Sequence, residues 1–571
     1  GWPVQGTTGY DFLACTNNLF TRNSAENKFS AFYNTLVRDK RPVEEKIREK
    51  KSYILFRHME GELKNLTKFF IEQNLVPKAE LEQVPEEDIK NSIAEFLIHC
   101  PVYRFYGNSF PLQPEEYKKV ELILNACKDH KPQLRIAVEL LEEALLKRTS
   151  QNDEEYKTRA IQFYQRCMQF SGPLMAKGVE DTLMYTFNRF VGHNEVGDSP
   201  EFFGLTAEDF HMNMKYRQHR WPLALNATST HDTKRGEDMR MRLNVLSVLA
   251  DEWIELVKSW IKSNLIYKTN NFPDPNDEYF IYQTLIGAYP IKEEEDFIVR
   301  LEEYFIKAFR EAKRYSNWAE PDKQYEESTV LFVKKILNKD TDFWKSFYPF
   351  QQEVSEFGAM GSLAQLILKF TCPGIPDTYQ GTTTWDLSLV DPDNRRAVDY
   401  KLDSLNLQQI TDVEQSIDLK ELWHTRDDGK IKLWMVHTLL QIRNEYSKIF
   451  TEGNYEPLQI KGKYKENCIA FARQLRDTWI VSVIPVYPAY LCKLQQTNIL
   501  TIDWADTHIV LPGDAPIVWQ HLLCNSKGKC EQNIDLNDIF KELPLAILKL
   551  QKLKKNRSAG VLLSVSSLPS R

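Results

Sequence analysis

Residues 226–238 read NATSTHDTKRGED, and this stretch decides how the rest of the chain is read. Before it stand Leu223 and Leu225, followed by alternating Thr and Ser up to Thr230. The pattern predicts a strand that stops at His231-Asp232, where a run of charges begins: Lys234, Arg235, Glu237 and Asp238. A strand that ends in charge is how an α/β barrel presents reactive groups, because the loops after its strands form the active face. The expected fold class is therefore α/β, with His231 and Asp232 as candidate site residues. Two other readings stay open. A His–Asp pair also occurs in metal-dependent phosphohydrolases, which need several more His and Asp ligands. The remaining His are isolated, with no HxxxH or HExxH pattern, so no metal is expected. The pair also reads as a buried hydrogen-bonded pair, with the charge run a solvated helix start capped by Asp232 or Thr233.

A second polar constellation lies at 373–396, PGIPDTYQG followed by LVDPDNRR. Pro373, Gly374 and Pro376 predict a stiff turn. Asp377, Tyr379 and Gln380 then stand near Trp385, and Asp391, Asp393, Asn394, Arg395 and Arg396 add more hydrogen-bonding groups. Carboxylates and amides mixed with aromatics suit neutral polyols, which offer many hydroxyls and one apolar face. A phosphate site would call for a Gly-rich loop before a helix, and neither GxxxxGK[ST] nor GxGxxG is present. The plainer alternative is a structural turn with Asp-capped helices. A third motif, AKGVEDT with Lys177, Glu180 and Asp181, is weak alone, since adjacent carboxylates usually sit on the surface.

The 571 residues are too many for one ordinary core, and a net charge of −7 with mixed signs gives no reason to expect nucleic acid or an anionic membrane as partner. No apolar run is long enough to span a bilayer. The nine Cys are scattered without a CxxC pair, which points to a reducing, cytoplasmic setting. Residues 30–171 read as a helical insertion and 172–238 as a barrel segment carrying the His-Asp motif. A second helical insertion is expected at 239–353, then the last barrel strand and helices at 354–450. Short strands with turns follow at 451–545 as a small β domain. The Lys-rich stretch LKLQKLKKN and the rest of 546–571 read as a linker and a new start.

WPVQGTTGYDF, AKGVEDT, NEVG, NATSTHDTKRGEDMRMR and PGIPDTYQG…LVDPDNRR, in this order and spacing, resemble the malto-oligosyltrehalose synthases of the α-amylase superfamily. Residues 1–29 would be the barrel segment after missing early strands, and the chain the C-terminal two-thirds of the enzyme. RSAGVLLSVSSLPSR from Arg557 resembles the start of an amylomaltase, a 4-α-glucanotransferase.

The resemblance implies a partial (β/α)8 barrel with large helical insertions and a small C-terminal β domain. It implies a maltodextrin substrate whose reducing-end α-1,4 bond is remade as α,α-1,1, without cofactor. It also implies a fused or cooperating amylomaltase and a trehalose-releasing hydrolase. In a retaining mechanism one carboxylate attacks the anomeric carbon while a second acts as acid and then base. The third carboxylate of this superfamily, preceded by His, stabilises the transition state and maps onto Asp232, with His231 beside it. Substrate contacts map onto Lys234, Arg235, Lys177, Glu180, Asp181, Asp377, Tyr379, Gln380, Trp385, Asp391, Asn394 and Arg395. The family's nucleophile stands in a motif like DGLRIDH, which does not occur here, so nucleophile and acid/base are expected outside these residues, and the isolated chain is expected to be unstable. Thr383 and Thr186 depart from the Glu and Arg expected at those places. A non-catalytic α-glucan-binding module, and an α-1,4-glucanotransferase or hydrolase of the same superfamily, are the alternatives.

Overall fold

The computed structural model describes residues 4–148, 153–292, 295–411 and 417–551. The chain is mostly helical, with a small antiparallel β region at its C-terminal end. Parallel pairing among the described residues is confined to two short strands, β1 (Leu225–Asn226) and β2 (Ile375–Pro376), which pair in register Leu225↔Ile375 and Asn226↔Pro376. The strand expected to reach His231 ends at Asn226; beyond it Thr228 donates to Glu237, Ser229 to Asp386, and Thr230 bonds within its own loop.

The base of β1 is held from three sides. Leu225 donates its N–H to the carbonyl of Thr7, 3.0 Å away, and the carbonyl of Ala224 accepts from the N–H of Ile375 at 2.9 Å. The close approach of the Thr7 segment requires glycine. Gly9 has φ +95°, and a Cβ there would lie 2.6 Å from the nitrogen of Ala227. Only glycine takes that conformation without strain, which explains the GTTGYDF motif physically. The buried guanidinium of Arg217 closes the third side, on the Leu225 carbonyl, Asn226 Oδ1 and Asp11.

Helices Val43–His58, Glu60–Glu72, Glu86–His99, Pro114–His130 and Glu154–Met175 enclose a core of their own, running from Ile54 to Leu174. The insertion expected from residue 30 begins later, because Phe32 and Tyr33 pack into the main core with Tyr279 and Phe187. Helix Glu154–Met175 is started by Asp153, whose carboxylate accepts from the N–H groups of Glu155 and Tyr156. It then widens into a π-helical turn, Ala176–Glu180, a distortion often found at functional sites.

Everything else described shares one continuous core, into which residues of the 239–353 stretch also pack. Helix Glu237–Val248 is buried all round from Glu237 to Ser247. Such a helix has no polar face to read from sequence. Helix Asp342–Thr371 runs unbroken through the boundary expected at 353/354.

In the β region a six-stranded sheet has the order β3-β5-β6-β11-β8-β9, and a three-stranded sheet the order β10-β7-β4. The ranges are β3 Asn454–Pro457, β4 Gln459–Lys461, β5 Cys468–Leu475, β6 Thr478–Pro485, β7 His508–Val510, β8 Val518–His521, β9 Lys527–Lys529, β10 Asn533–Asp535 and β11 Ala546–Gln551. β11 corrects the linker expected from 546. Ala546, Ile547, Leu548 and Leu550 are buried, while Lys549 sets its ammonium 5.0 Å from the centre of the Tyr446 ring. The lysine that made the segment look solvated sits over an aromatic face. The amylomaltase-like stretch from Arg557 lies outside the described residues. All nine cysteines are free, seven of them buried. No described helix is long and apolar enough to cross a membrane.

Candidate functional site

The loop after β1 is fastened by its own hydroxyls. Thr233 Oγ1 donates to the carbonyl of Thr230 at 2.9 Å and accepts from its N–H at 3.2 Å, while Thr230 Oγ1 accepts from the N–H of Asp232 at 3.1 Å. Two residues from distant motifs complete the clamp. The fully buried carboxylate of Glu195, in the NEVG segment, accepts the N–H groups of Lys234 at 2.7 Å and Arg235 at 3.0 Å. Asn394 Nδ2 reaches the carbonyls of His231 at 3.1 Å, Thr233 at 3.3 Å and Thr230 at 3.4 Å. A loop so held on its backbone leaves two side chains free of structural duty. His231 and Asp232 project outward, with side chains 61% and 56% exposed and Nε2 3.3 Å from Oδ2. The buried-pair reading of His231-Asp232 is therefore overturned, and so is the capping reading: helix Glu237–Val248 starts after Gly236 with no side-chain cap.

The neighbouring wall comes from the π-helical turn. Burial pushes the Asp181 carboxyl up, but Lys234, Lys177 and Lys313 outweigh it and hold it below its ordinary value. Lys177 Nζ lies 2.7 Å and Lys234 Nζ 3.7 Å from that carboxylate. Glu180 is pushed the other way by burial, with Asp181 and Glu195 adding to the effect. Tyr10, whose hydroxyl is 3.2 Å from Thr230 Oγ1, has its phenol raised by burial and by the carboxylates of Asp232, Glu195 and Glu180. The GTTGYDF, AKGVEDT, NEVG and THDTKR motifs thus meet at one place. Beside it a cavity of about 550 Å³ is lined by Tyr103, Met175, Glu180, Met184, Gly197 and Phe202. Its size suits a small organic ligand, and Tyr103 and Phe202 stand exposed at 41% and 61%.

The other expected site residues are placed differently. The Arg235 guanidinium is buried and donates to the carbonyl of Asn194 at 2.9 Å, so it supports the loop from behind. Tyr379 donates to the carbonyl of Asn394 at 3.1 Å and braces the clamp. Asp391 and Arg395 pair with each other at 2.9 Å. The N–H of Asp377 continues the β1–β2 ladder onto Asn226, and Gln380 is exposed. Trp385 donates to the carbonyl of Arg426 at 2.7 Å and lies under the ammonium of Lys432; its partners are not in the 230–235 loop. Of the two departures, Thr383 bonds Asp403 and Thr186 the carbonyl of Leu183.

No family model matches the chain. A putative maltooligosyl trehalose synthase of Mycobacterium tuberculosis is 27% identical over 553 residues, 96% of this chain and 63% of that protein. The solved maltooligosyltrehalose synthase from Arthrobacter ramosus superposes with a TM-score of 0.79 at 25% identity, covering 96% of this chain and 64% of that one. The chain is a relative of the maltooligosyl trehalose synthases. A DSM5389 glycosyltrehalose synthase adds a TM-score of 0.70 at 28% identity, over 97% of this chain and 61% of that one. The chain spans just under two thirds of the length of the curated relatives it matches.

Sequence reasoning missed Glu195 and Tyr10 as individual residues, although NEVG and GTTGYDF carried both. Glu195 stands in a polar, glycine-flanked run, GHNEVGD at 192–198, which drew attention to the segment without singling out this carboxylate. Glu195→Gln replaces one accepting oxygen with a donor that faces a backbone N–H. We expect it to lower stability by about 1.5–3 kcal/mol, the usual worth of a hydrogen bond to a charged group. It should also reduce kcat, because a displaced loop misaligns Asp232. Thermal unfolding and steady-state kinetics check both; an unchanged kcat would mean that the loop keeps its shape without Glu195.

Proposed function

We propose that this protein carries out the intramolecular transglycosylation in which the reducing-end α-1,4 linkage of a maltodextrin becomes an α,α-1,1 linkage. The observation that supports it most is the exposed Asp232, on a loop fastened by hydrogen bonds to its backbone beside an aromatic-rimmed groove, in a chain whose relatives bear the name maltooligosyl trehalose synthase. The short parallel pair β1–β2 is read as two neighbouring strands of a (β/α)8 barrel, with the site beyond their C-terminal ends, where such barrels place their chemistry.

In this reading one carboxylate attacks the anomeric carbon and expels the terminal glucose, whose oxygen takes a proton from a second carboxyl group. Neither role is assigned to a residue among these 571. Asp232 faces the positive charge that builds on the sugar ring, with His231 beside it. Glucose then turns over, its anomeric hydroxyl attacks the glycosyl-enzyme, and its proton returns to the second carboxylate. Nucleophile and acid/base are restored, and no oxidant or cofactor is consumed. Lys234, Lys177, Glu180 and Asp181 are proposed to hold the turning glucose, and Asp377 and Gln380 to reach more distant sugar hydroxyls. A reducing, cytoplasmic setting agrees with nine unpaired cysteines. An amylomaltase and a trehalose-releasing hydrolase are the proposed partners on the same glucan.

Maltopentaose incubated with the full-length protein tests the reading. Reducing ends should disappear without free glucose. New reducing ends would indicate hydrolysis instead, chains of new length with constant reducing ends would indicate disproportionation, and an unchanged substrate would indicate a binding module.

A further inference from the structure

The helical unit holds a cluster of reactive side chains that the transglycosylation does not use. Glu95 is nearly fully buried on helix Glu86–His99, one turn before His99. Its Oε2 lies 2.9 Å from Nδ1 of His130, the last residue of helix Pro114–His130, and 3.5 Å from Nδ1 of His99. The two rings meet edge to face with centroids 5.1 Å apart. One donor atom from each of the three residues lies within 4.8 Å of the others.

Two further contacts resemble the outer shell of a metal site. The carbonyl of Glu95 accepts from His99 Nδ1 at 3.0 Å, which fixes the tautomer and leaves the lone pair on Nε2. The second carboxylate oxygen, Oε1, is held by Lys131 at 2.8 Å. Metal-binding histidines usually donate their other ring N–H to a carbonyl or carboxylate, and ligating carboxylates are themselves hydrogen-bonded.

We propose that Glu95, His99 and His130 form a binding site for a divalent transition-metal ion of the zinc class. Two neutral imidazoles and one carboxylate, with water in the fourth position, are a ligand set such ions accept. Tetrahedral zinc with bonds of about 2.0–2.1 Å places its donors about 3.4 Å apart. The 2.9 Å contact between His130 Nδ1 and Glu95 opens to that spacing as the His130 ring, 42% exposed, turns onto the ion, while His99, whose Nδ1–H is held by the Glu95 carbonyl, would offer Nε2. Lys131 remains on Oε1 or swings to solvent, since its side chain is 36% exposed. The bound ion would clip the ends of the two helices together. It would also brace the groove wall, because His99 lines the same cavity as Tyr103 and Glu180.

The test uses full-length protein without an affinity tag, stripped with a chelator. ZnCl2 is titrated by calorimetry, and Co2+ is followed by the visible absorption of its tetrahedral complex. One ion should bind per chain at this site and raise Tm. His130→Ala removes a partly exposed ligand without opening the core, so it should fold. Loss of an outer-shell partner typically costs about 10–100-fold in affinity, so His130→Ala should weaken binding at least about a hundredfold. Glu95→Gln should do the same, whereas Lys131→Met should retain binding. Absence of saturable binding, or equal binding by His130→Ala, would overturn the proposal and leave the cluster as an ionic clamp only.

Discussion

Asp232→Asn should leave the fold intact and reduce turnover by two to three orders of magnitude. The side chain is exposed, and the loop's structural bonds are made by its backbone, to Thr230 and its neighbours. Surface changes of this kind alter stability by about 0.5 kcal/mol or less, so Tm should hardly move. The catalytic effect has a different origin. An ionised carboxylate beside a developing positive charge acts mostly in the transition state, and interactions of that kind are what raise kcat. Removing one preorganised electrostatic group of this sort costs about 10²–10³ in kcat, or about 2.7–4 kcal/mol. A loss below about tenfold, roughly 1.4 kcal/mol in the barrier, would remove Asp232 from the mechanism. Maltopentaose turnover and a thermal melt on the same preparation are sufficient.

Lys432→Met should cost the protein about 3–5 kcal/mol, the usual effect of stripping one partner from a buried ion pair. Behind the loop, four charges are sealed from solvent. Lys432 Nζ lies 2.8 Å from Glu237 and 2.7 Å from Asp238, and Lys369 Nζ lies 3.4 Å from Glu237. Thr228 donates to Glu237, and Asp238 accepts the N–H of Asp386 at 2.6 Å. Burial alone would raise the Glu237 carboxyl; Lys369 and Lys432 overcome it and hold the group well below the usual carboxylate range. Two ammonium groups balance two carboxylates, so methionine at 432 leaves a net buried negative charge. Adding Asp238→Asn restores neutrality around Lys369 and Glu237 and should recover part of the loss. A double variant no more stable than Lys432→Met alone would show that packing, not charge, holds this region. Denaturant or thermal melts of the three proteins decide it.

The charge run 234–238 shows what was legible in the sequence and what was not. The break from Thr/Ser to charge singled out this loop, and of the aromatic and amide-rich segment 377–394 it is Asn394 that bonds to the carbonyls of Thr230, His231 and Thr233. Exposure could not be read. Only His231 and Asp232 face outward, whereas Lys234, Arg235, Glu237 and Asp238 are buried. The reason is non-local. The lysines that neutralise Glu237 and Asp238 lie 132 and 194 residues along the chain, and no local pattern announces them. The partners of Trp385, Arg426 and Lys432, likewise belong to a later helix region. Helices with one apolar face were plain from their periodicity. Glu237–Val248, enclosed on every side, had no such face to reveal, and Lys549 disguised β11 as a linker.

The place of β11 in its sheet sets an order of events during synthesis. It lies between β6 and β8, pairing antiparallel with both. Until Gln551 has left the ribosome, the β3-β5-β6 meander and the β8-β9 hairpin are two separate pieces, each with an open edge. An unpaired edge strand is a template for another chain, and nascent chains that display one are prone to misassembly. This sheet therefore closes last-in, by insertion of its final strand into the middle rather than by addition at a border.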